Sequence, residues 1–331
     1  MKLPVFSIKK IVVFRALQLG DLLCAIPAIR SLRAAYPEAE ITLCGLPWAK
    51  SLLDRFPAYF NDFIHFSGFP GLPEQQFQPT DFTGFLAEVQ GRRFDLALQM
   101  QGDGSIINPM VELFGAKFTA GYFLKGHYYP DNGLFTEYPD YGSEIERHLH
   151  LMDFLGIPVK GNKLEFPVTD KDIKELRELE FPIHNQRYIC IHPGSRGAWR
   201  QWPTAYFAAL ADRCSDNGFT PVITGTKDEL EIASSVVAQM QRKPVLAIGK
   251  TSIGAAAALI KNAYALVSNC TGVSHMAAAF KTPSVVISMD GEPERWAPID
   301  TEVHRVIDWT KTPDFNLVAG QLDHLLAAKV L

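Results

Sequence analysis

The chain has 331 residues, with 32 Lys and Arg against 36 Asp and Glu, a formal net charge of −4. One hydrophobic core stops growing at about 250–300 residues, so two domains are expected; 47% hydrophobic and 21% charged residues describe a globular chain, not a disordered one. The mild acidic excess leaves no electrostatic footprint for nucleic acid, no run of about 18 apolar residues spans a bilayer, and residues 1–10 lack the apolar core of a signal peptide.

Apolar runs of strand length alternate with amphipathic segments of helix length, the pattern of parallel sheets with crossover helices. Residues 11–14 form a β-branched strand, and Leu19-Gly20-Asp21 follows it. Leu22, Leu23, Ile26, Ile29 and Leu32 then fall at helical spacing up to Ala35, and Pro37 ends the helix. Strands are predicted over 41–44, 63–66 and 94–100, with a Gly-, Pro- and Gln-rich loop over 68–80. A helix over 144–155 closes the first half. Polar, helix-prone residues 168–186, punctuated by Pro167 and Pro182, mark the boundary, so the halves are residues 1–168 and 169–331. The alternation restarts with a strand over 188–192, a helix over 204–217, a strand over 220–224 and a helix over 228–240. Further strands cover 245–248, 265–268 and 284–288, and the chain closes on an amphipathic helix from about Phe315 to Val330. Two α/β halves of similar size are expected to face each other across a cleft, a favoured place for ligands.

Cys24, Cys44, Cys190, Cys214 and Cys270 are odd in number and contain no CxxC pair. They read as small buried hydrophobes in a reducing cytoplasm, with neither a disulfide framework nor a zinc site. Several familiar signatures fail on spacing. Gly249-Lys250-Thr251 would need a glycine at position 244, which is Pro244, to be a P-loop. Gly102-Asp103-Gly104 has Ile107 where a dinucleotide fingerprint needs its third glycine. Pro193 stands where a nucleophile elbow around Ser195 needs its first. His148 and His150, two apart on a helix, point to different faces, and Asn269-Cys270-Thr271 is a glycosylation triplet in the wrong compartment.

Three constellations remain. Leu19-Gly20-Asp21 lies at the carboxyl end of the first strand, where Asp21 either caps a helix or accepts a proton from a substrate hydroxyl. His192-Pro193-Gly194-Ser195-Arg196, with Arg200-Gln201-Trp202-Pro203, offers open backbone N–H groups, a hydroxyl and guanidinium groups, which suit a phosphate or diphosphate but also an ordinary exposed turn. Ser268-Asn269-Cys270-Thr271-Gly272-Val273-Ser274-His275 places Thr271 and Gly272 at a helix start, where free N–H groups and the dipole favour an anion.

Together, in this order and at these separations, the motifs resemble glycosyltransferase family 9, the ADP-heptose:lipopolysaccharide heptosyltransferase family. The resemblance rests on Ile11-Val12-Val13-Phe14-Arg15 leading to Leu19-Gly20-Asp21 and Ile26-Pro27-Ala28, on His192-Pro193-Gly194-Ser195 leading to Trp202-Pro203, and on Thr271-Gly272 with His275-Met276-Ala277-Ala278. It implies a GT-B fold of two Rossmann-like domains, an acceptor-binding amino-terminal one and a nucleotide-sugar-binding carboxyl-terminal one. It further implies inverting, metal-independent transfer of a heptose or related sugar from an ADP-sugar to a lipopolysaccharide-core or other surface-glycan acceptor. No cofactor is implied, and contact with the membrane would be peripheral, at its cytoplasmic face. Asp21 matches the family's general base, and Arg200 falls where a basic residue neutralises the departing diphosphate. Gly194, Ser195, Thr271, Gly272 and His275 match donor-phosphate positions. Loops 225–229 and 249–252, with Glu229, Lys250 and Thr251, match those holding ribose and base.

Two departures stand out. Cys270 occupies a position where the family usually has Asp, which motivates an alternative: a catalytically silent nucleotide-sugar-binding protein of the same fold. A nucleotide-dependent oxidoreductase is a third reading, set back by the failed glycine fingerprint. Secondly, residues 56–91 contain no Lys or Arg, whereas enzymes acting on a phosphorylated inner core use basic residues in the acceptor half. Arg92, Arg93, Lys117 and Lys125 are the nearest substitutes.

Overall fold

The computed structural model describes residues 2–4, 7–183 and 186–328. The chain divides into two compact units, Met1–Lys163 and Leu164–Leu331. In the first, strands β1 (Lys10–Phe14), β2 (Glu40–Gly45), β3 (Asp62–His65), β4 (Leu96–Gln99), β5 (Phe118–Phe123) and β6 (Phe135–Glu137) form one parallel sheet in the order β3-β2-β1-β4-β5-β6. Helices α1 (Leu19–Ala35), α2 (Pro79–Arg92), α3 (Asn108–Glu112) and α4 (Glu144–Phe154) are its crossovers and flanks.

The second unit opens on α5 (Asp170–Glu178) and continues through β7 (Tyr188–His192), α6 (Thr204–Asp216), β8 (Thr220–Ile223), α7 (Leu230–Gln239), β9 (Val245–Leu246), α8 (Ile253–Asn262) and β10 (Ala265–Asn269). It ends with α9 (Gly272–Phe280), β11 (Ser284–Ser288), α10 (Pro293–Trp296), β12 (His304–Asp308) and α11 (Phe315–Ala328). Its strand order is β12-β11-β10-β7-β8-β9. Counted from its own first strand, each sheet therefore runs 3-2-1-4-5-6, the order of a doubly wound nucleotide-binding sheet.

Helices cover both faces of such sheets, so their central strands are buried on both sides and read as continuous apolar runs. Ile11, Val12, Val13 and Phe14 have no measurable exposure, nor do Ile189, Cys190 and Ile191. In register, Val12 faces Thr42 on one side and Ala97 on the other, and Ile191 faces Val267. Phe14, Phe66, Phe85 and Phe114 pack edge-to-face in the first core. All five cysteines are buried free thiols.

The structure corrects several sequence expectations. Helix α1 begins at Leu19, not Leu22, because Gln18 in extended conformation caps it and Asp21 closes the first turn. Helix α2 has no counterpart in the sequence reading: only Phe85 and Val89 of its residues are buried, too thin a stripe to register as periodicity. Strands β5, β6 and β12 were also missed; β6 is three residues long and β12 carries Arg305 and Asp308 on a half-exposed edge. The 228–240 helix is split into a 3-10 turn over Lys227–Glu229 and α7. The units divide between Lys163 and Leu164, where the sequence boundary was placed after residue 168; Phe166 stacks edge-on against Phe280 of the second unit at 6.2 Å. Val330 lies outside the described residues.

Candidate active site

In a sheet of this order, ligands sit beyond the carboxyl ends of the strands where the winding reverses, here between β1 and β4 and between β7 and β10. At the first of these points β1 runs straight into Arg15, whose guanidinium is 1% exposed. Its Nε donates to the Asp21 carbonyl (2.8 Å), one Nη donates to the Met100 carbonyl, and the other to Glu144 Oε1 (3.3 Å). Glu144, in the first turn of α4, is 2% exposed and also accepts from the Tyr138 hydroxyl (3.2 Å), with His148 Nε2 at 3.4 Å. His148 is buried and His150 exposed, as their spacing requires. The buried cation is thus neutralised beneath the site.

Asp21 stands above this network, half-buried. It is not the N-cap: Gln18 is, and the Gln18 amide donates back to Asp21 Oδ2 (3.3 Å). Desolvation raises its proton affinity above the ordinary carboxylate range; Arg15 opposes that shift and Glu144 adds to it. Across the switch point, the β4 end carries Gln101, whose Oε1 takes the Ala16 amide (2.7 Å). Gly104 makes the turn that follows: its φ is +81°, and a Cβ there would lie 2.3 Å from the Tyr122 carbonyl. The glycines at 102 and 104 therefore serve the chain path, in keeping with the failed dinucleotide pattern.

In the second unit, every donor residue expected from the sequence lies at the carboxyl edge of its sheet. After β7 the loop Pro193–Gly194 is tied down by Asn269 at the β10 end, whose Nδ2 donates to the Pro193 (2.7 Å) and Gly194 (3.2 Å) carbonyls while its Oδ1 accepts the Trp202 amide (2.9 Å). Ser195 is held through its carbonyl by Gln201 (2.9 Å). The far end of the loop is pinned by Trp202, 1% exposed among Tyr206, Phe207, Trp309 and Phe315; truncating an indole so enclosed costs about 3–5 kcal/mol.

Glu229 meets the Gly194 loop from the β8 side. Its carboxylate accepts the Thr226 amide (2.7 Å), stands 3.8 Å from His192 Nε2, and leaves no room over Gly194, where a Cβ would lie 2.0 Å from Oε1. His192 shares a hydrogen bond with the Thr224 hydroxyl (3.1 Å), and its burial pushes its proton affinity down despite Glu229, so the ring is neutral at pH 7. A consequence can be measured: Gly194→Ala displaces the Glu229 carboxylate and lowers unfolding stability by about 1 kcal/mol, the size of a lost hydrogen bond. In Gly194→Ala/Glu229→Ala that penalty disappears as a coupling in urea titrations; purely additive losses would show that the two do not collide.

Arg200 is one-third exposed and ion-paired with Asp290 just beyond β11. Burial alone would raise the Asp290 carboxyl, but the Ser288 hydroxyl (2.7 Å), Arg200 and the Glu292 amide hold it below the ordinary range. Cys270 sits close by, its thiol donating to the Trp296 carbonyl (3.3 Å) and pushed up to about 12 by burial and by Asp290. The carboxylate beside Arg200 therefore comes from the next strand end. Thr271 is the N-cap of α9, its hydroxyl oxygen enclosed without a hydrogen-bond partner among the described residues; Gly272 opens the helix and His275 is buried in its first turns. Lys250 and Thr251 follow β9 at the same edge, but the Lys250 ammonium lies over the Phe181 ring at 6.0 Å, and no bond joins it to the Arg200 or Glu229 groups.

Sequence reasoning missed Asp290, Asn269 and Glu144. Asn269 belongs to the third constellation but carried no role there; its position at the end of a strand was the usable signal. Of the substitute basic residues, Arg92 pairs with Asp62 and Glu88, and Lys117 with Asp95 (2.5 Å). Asp62 opens β3, and Asp95 and Lys117 immediately precede β4 and β5, so these pairs, with Arg93 at the end of α2, lie at the amino edge of the sheet. Only Lys125, after β5, lies at the ligand edge.

Two doubly wound parallel sheets, each with its candidate residues at the carboxyl edge, are the architecture of a GT-B fold. The sequence profile of glycosyltransferase family 9 (heptosyltransferase) matches residues 85–319, and the chain belongs to that family. Lipopolysaccharide heptosyltransferase 3 of Escherichia coli is 25% identical over 301 residues, covering 84% of this chain and 83% of that protein. The fold is similar to a family 9 glycosyltransferase from Veillonella parvula (TM-score 0.80, 20% identity, 97% of this chain and 98% of that one). It is also similar to the ADP-heptose lipopolysaccharide heptosyltransferase II of E. coli (TM-score 0.76, 21% identity, 98% and 100%). Among the described residues no helix is long and apolar enough to cross a membrane.

Proposed function

We propose that the protein moves a heptose, or a related sugar, from an ADP-sugar to a lipopolysaccharide-core or other surface-glycan acceptor, by direct displacement with inversion. The observation that carries this reading is Arg200, oriented by Asp290 on the same sheet edge as the enclosed Thr271 hydroxyl and the amino end of α9. A leaving diphosphate develops negative charge, and a guanidinium with a helix terminus supplies the matching positive potential. That supply makes a metal ion unnecessary to the proposed step. Asp21 is the proposed base for the acceptor hydroxyl. Gly194, Ser195, Gly272 and His275 are proposed to surround the donor phosphates, and Glu229, Lys250 and Thr251 the nucleoside, with no cofactor required.

The carboxylate of Asp290 beside Cys270 weakens the ground for a binding-only protein. The position of Arg92, Arg93 and Lys117 at the amino edge of the first sheet favours an acceptor without a dense phosphate cluster. Contact with the membrane would be peripheral, through the lipid of the acceptor.

Thermal-shift titration with ADP, GDP, UDP and CDP tests the donor. At a hundred times its Kd, ADP adds about 2.7 kcal/mol, which raises Tm by about 5 °C in a chain of this size. Stabilisation by another nucleotide with ADP inert would reject the ADP-sugar donor. Binding of ADP-heptose without transfer to any core acceptor would favour the binding-only protein.

A further inference from the structure

Arg15 presents a problem that its surroundings solve. A buried guanidinium close to a carboxylate would ordinarily capture it in an ion pair, and a captured carboxylate is a poor proton acceptor. Here Arg15 Nε is spent on the Asp21 carbonyl and not on its carboxylate, while the charge of the guanidinium is met by Glu144 at 3.3 Å. Glu144 lies in the first turn of α4, where the helix dipole favours an anion, and accepts the Tyr138 hydroxyl at 3.2 Å.

We propose that Glu144 is a positioning residue for sugar transfer: by holding Arg15 it keeps the guanidinium off the Asp21 carboxylate and leaves that carboxylate turned to the acceptor. The inference rests on the assignment of Asp21 as the base. The charged and titratable groups around Asp21 are Arg15 at the β1 end and Glu144 and His148 on α4. Tyr138 precedes that helix, and Arg147 donates to the Tyr138 hydroxyl (3.3 Å). Of these, Arg15 pulls the Asp21 proton affinity down and Glu144 pushes it up, Arg15 being the stronger.

The two signs give a test that a merely structural role would not pass. Glu144→Gln keeps the shape but removes the anion, so Arg15 acts on Asp21 unopposed. The acid limb of kcat/KM against pH, measured with ADP-heptose and an extracted lipopolysaccharide core, moves down by about one unit, and the plateau rate falls about tenfold because the base is weaker. Arg15→Met/Glu144→Gln removes both charges, and the limb moves the other way, above that of the wild type. ADP affinity by calorimetry is unchanged in both, because the donor loops belong to the other unit. An acid limb that stays in place in Glu144→Gln, or that moves down in the double variant, overturns the proposal. Should the single variant fail to fold, the double variant, a swap of a buried ion pair for uncharged groups, decides alone by the direction of its limb. Asp21→Asn separates the two readings: inactivity there with unmoved limbs rejects the role of Glu144 only, whereas full activity there rejects the base itself.

Discussion

Asp21→Asn is expected to lower kcat for sugar transfer by about 10²- to 10⁴-fold, the range of a lost general base, with ADP affinity unchanged. The side chain is nearly isosteric, and its oxygen can still receive the Gln18 amide that closes the first turn of α1, so the helix start survives. Stability should move in the opposite direction from activity. Desolvation raises the Asp21 proton affinity in the folded chain, so between the unfolded and folded values the folded state binds more protons, and stability falls as pH rises through that window. At pH 7 the wild type carries that cost and the amide does not. A melting temperature equal to or above wild type, alongside lost turnover, is the signature of a residue kept for chemistry. Loss of both together would reduce Asp21 to the residue that closes the first turn of α1, and undiminished turnover would remove it from the mechanism.

The central strands and the helices beside them were legible because their signals are local. A buried parallel strand is an unbroken apolar run, and α1 and α6 carry a stripe at helical spacing. The three constellations also fell where a doubly wound sheet puts its ligands, since each follows a strand that proved to be the first or fourth of its sheet. What was illegible depends on contacts distant in sequence. Glu144 is 129 residues from Arg15, and Asp290 is 90 from Arg200; no spacing rule links either pair. The places of three of the four substitute basic residues were illegible for the same reason. Arg92, Arg93 and Lys117 lie near the ligand-edge loops along the chain, yet the strand direction places them at the opposite edge. Helix α2 and strands β6 and β12 escaped because they bury few side chains, so tertiary context, not pattern, maintains them.

Arg200→Met is expected to cost about 10²–10³-fold in kcat, the value of one preorganised electrostatic group at the developing charge. The methionine keeps a side chain of similar length without the charge, so the loss should track the guanidinium. Arg200→Lys should recover part of the rate: it restores the charge but not the planar fork that Asp290 orients. The substitution also leaves Asp290, 5% exposed in its side chain, with a buried charge and no cation, which costs stability whatever happens to catalysis. The decisive comparison is therefore Arg200→Met/Asp290→Asn, which removes both charges. If the double variant melts like the wild type but remains slow, the rate loss belongs to the leaving group. If it regains the wild-type rate, Arg200 serves only to neutralise Asp290, and the diphosphate must be met by the Thr271 hydroxyl and the amino end of α9 alone. The first outcome is expected, because a helix terminus contributes roughly half a charge, whereas a departing diphosphate carries more than a dipole can balance.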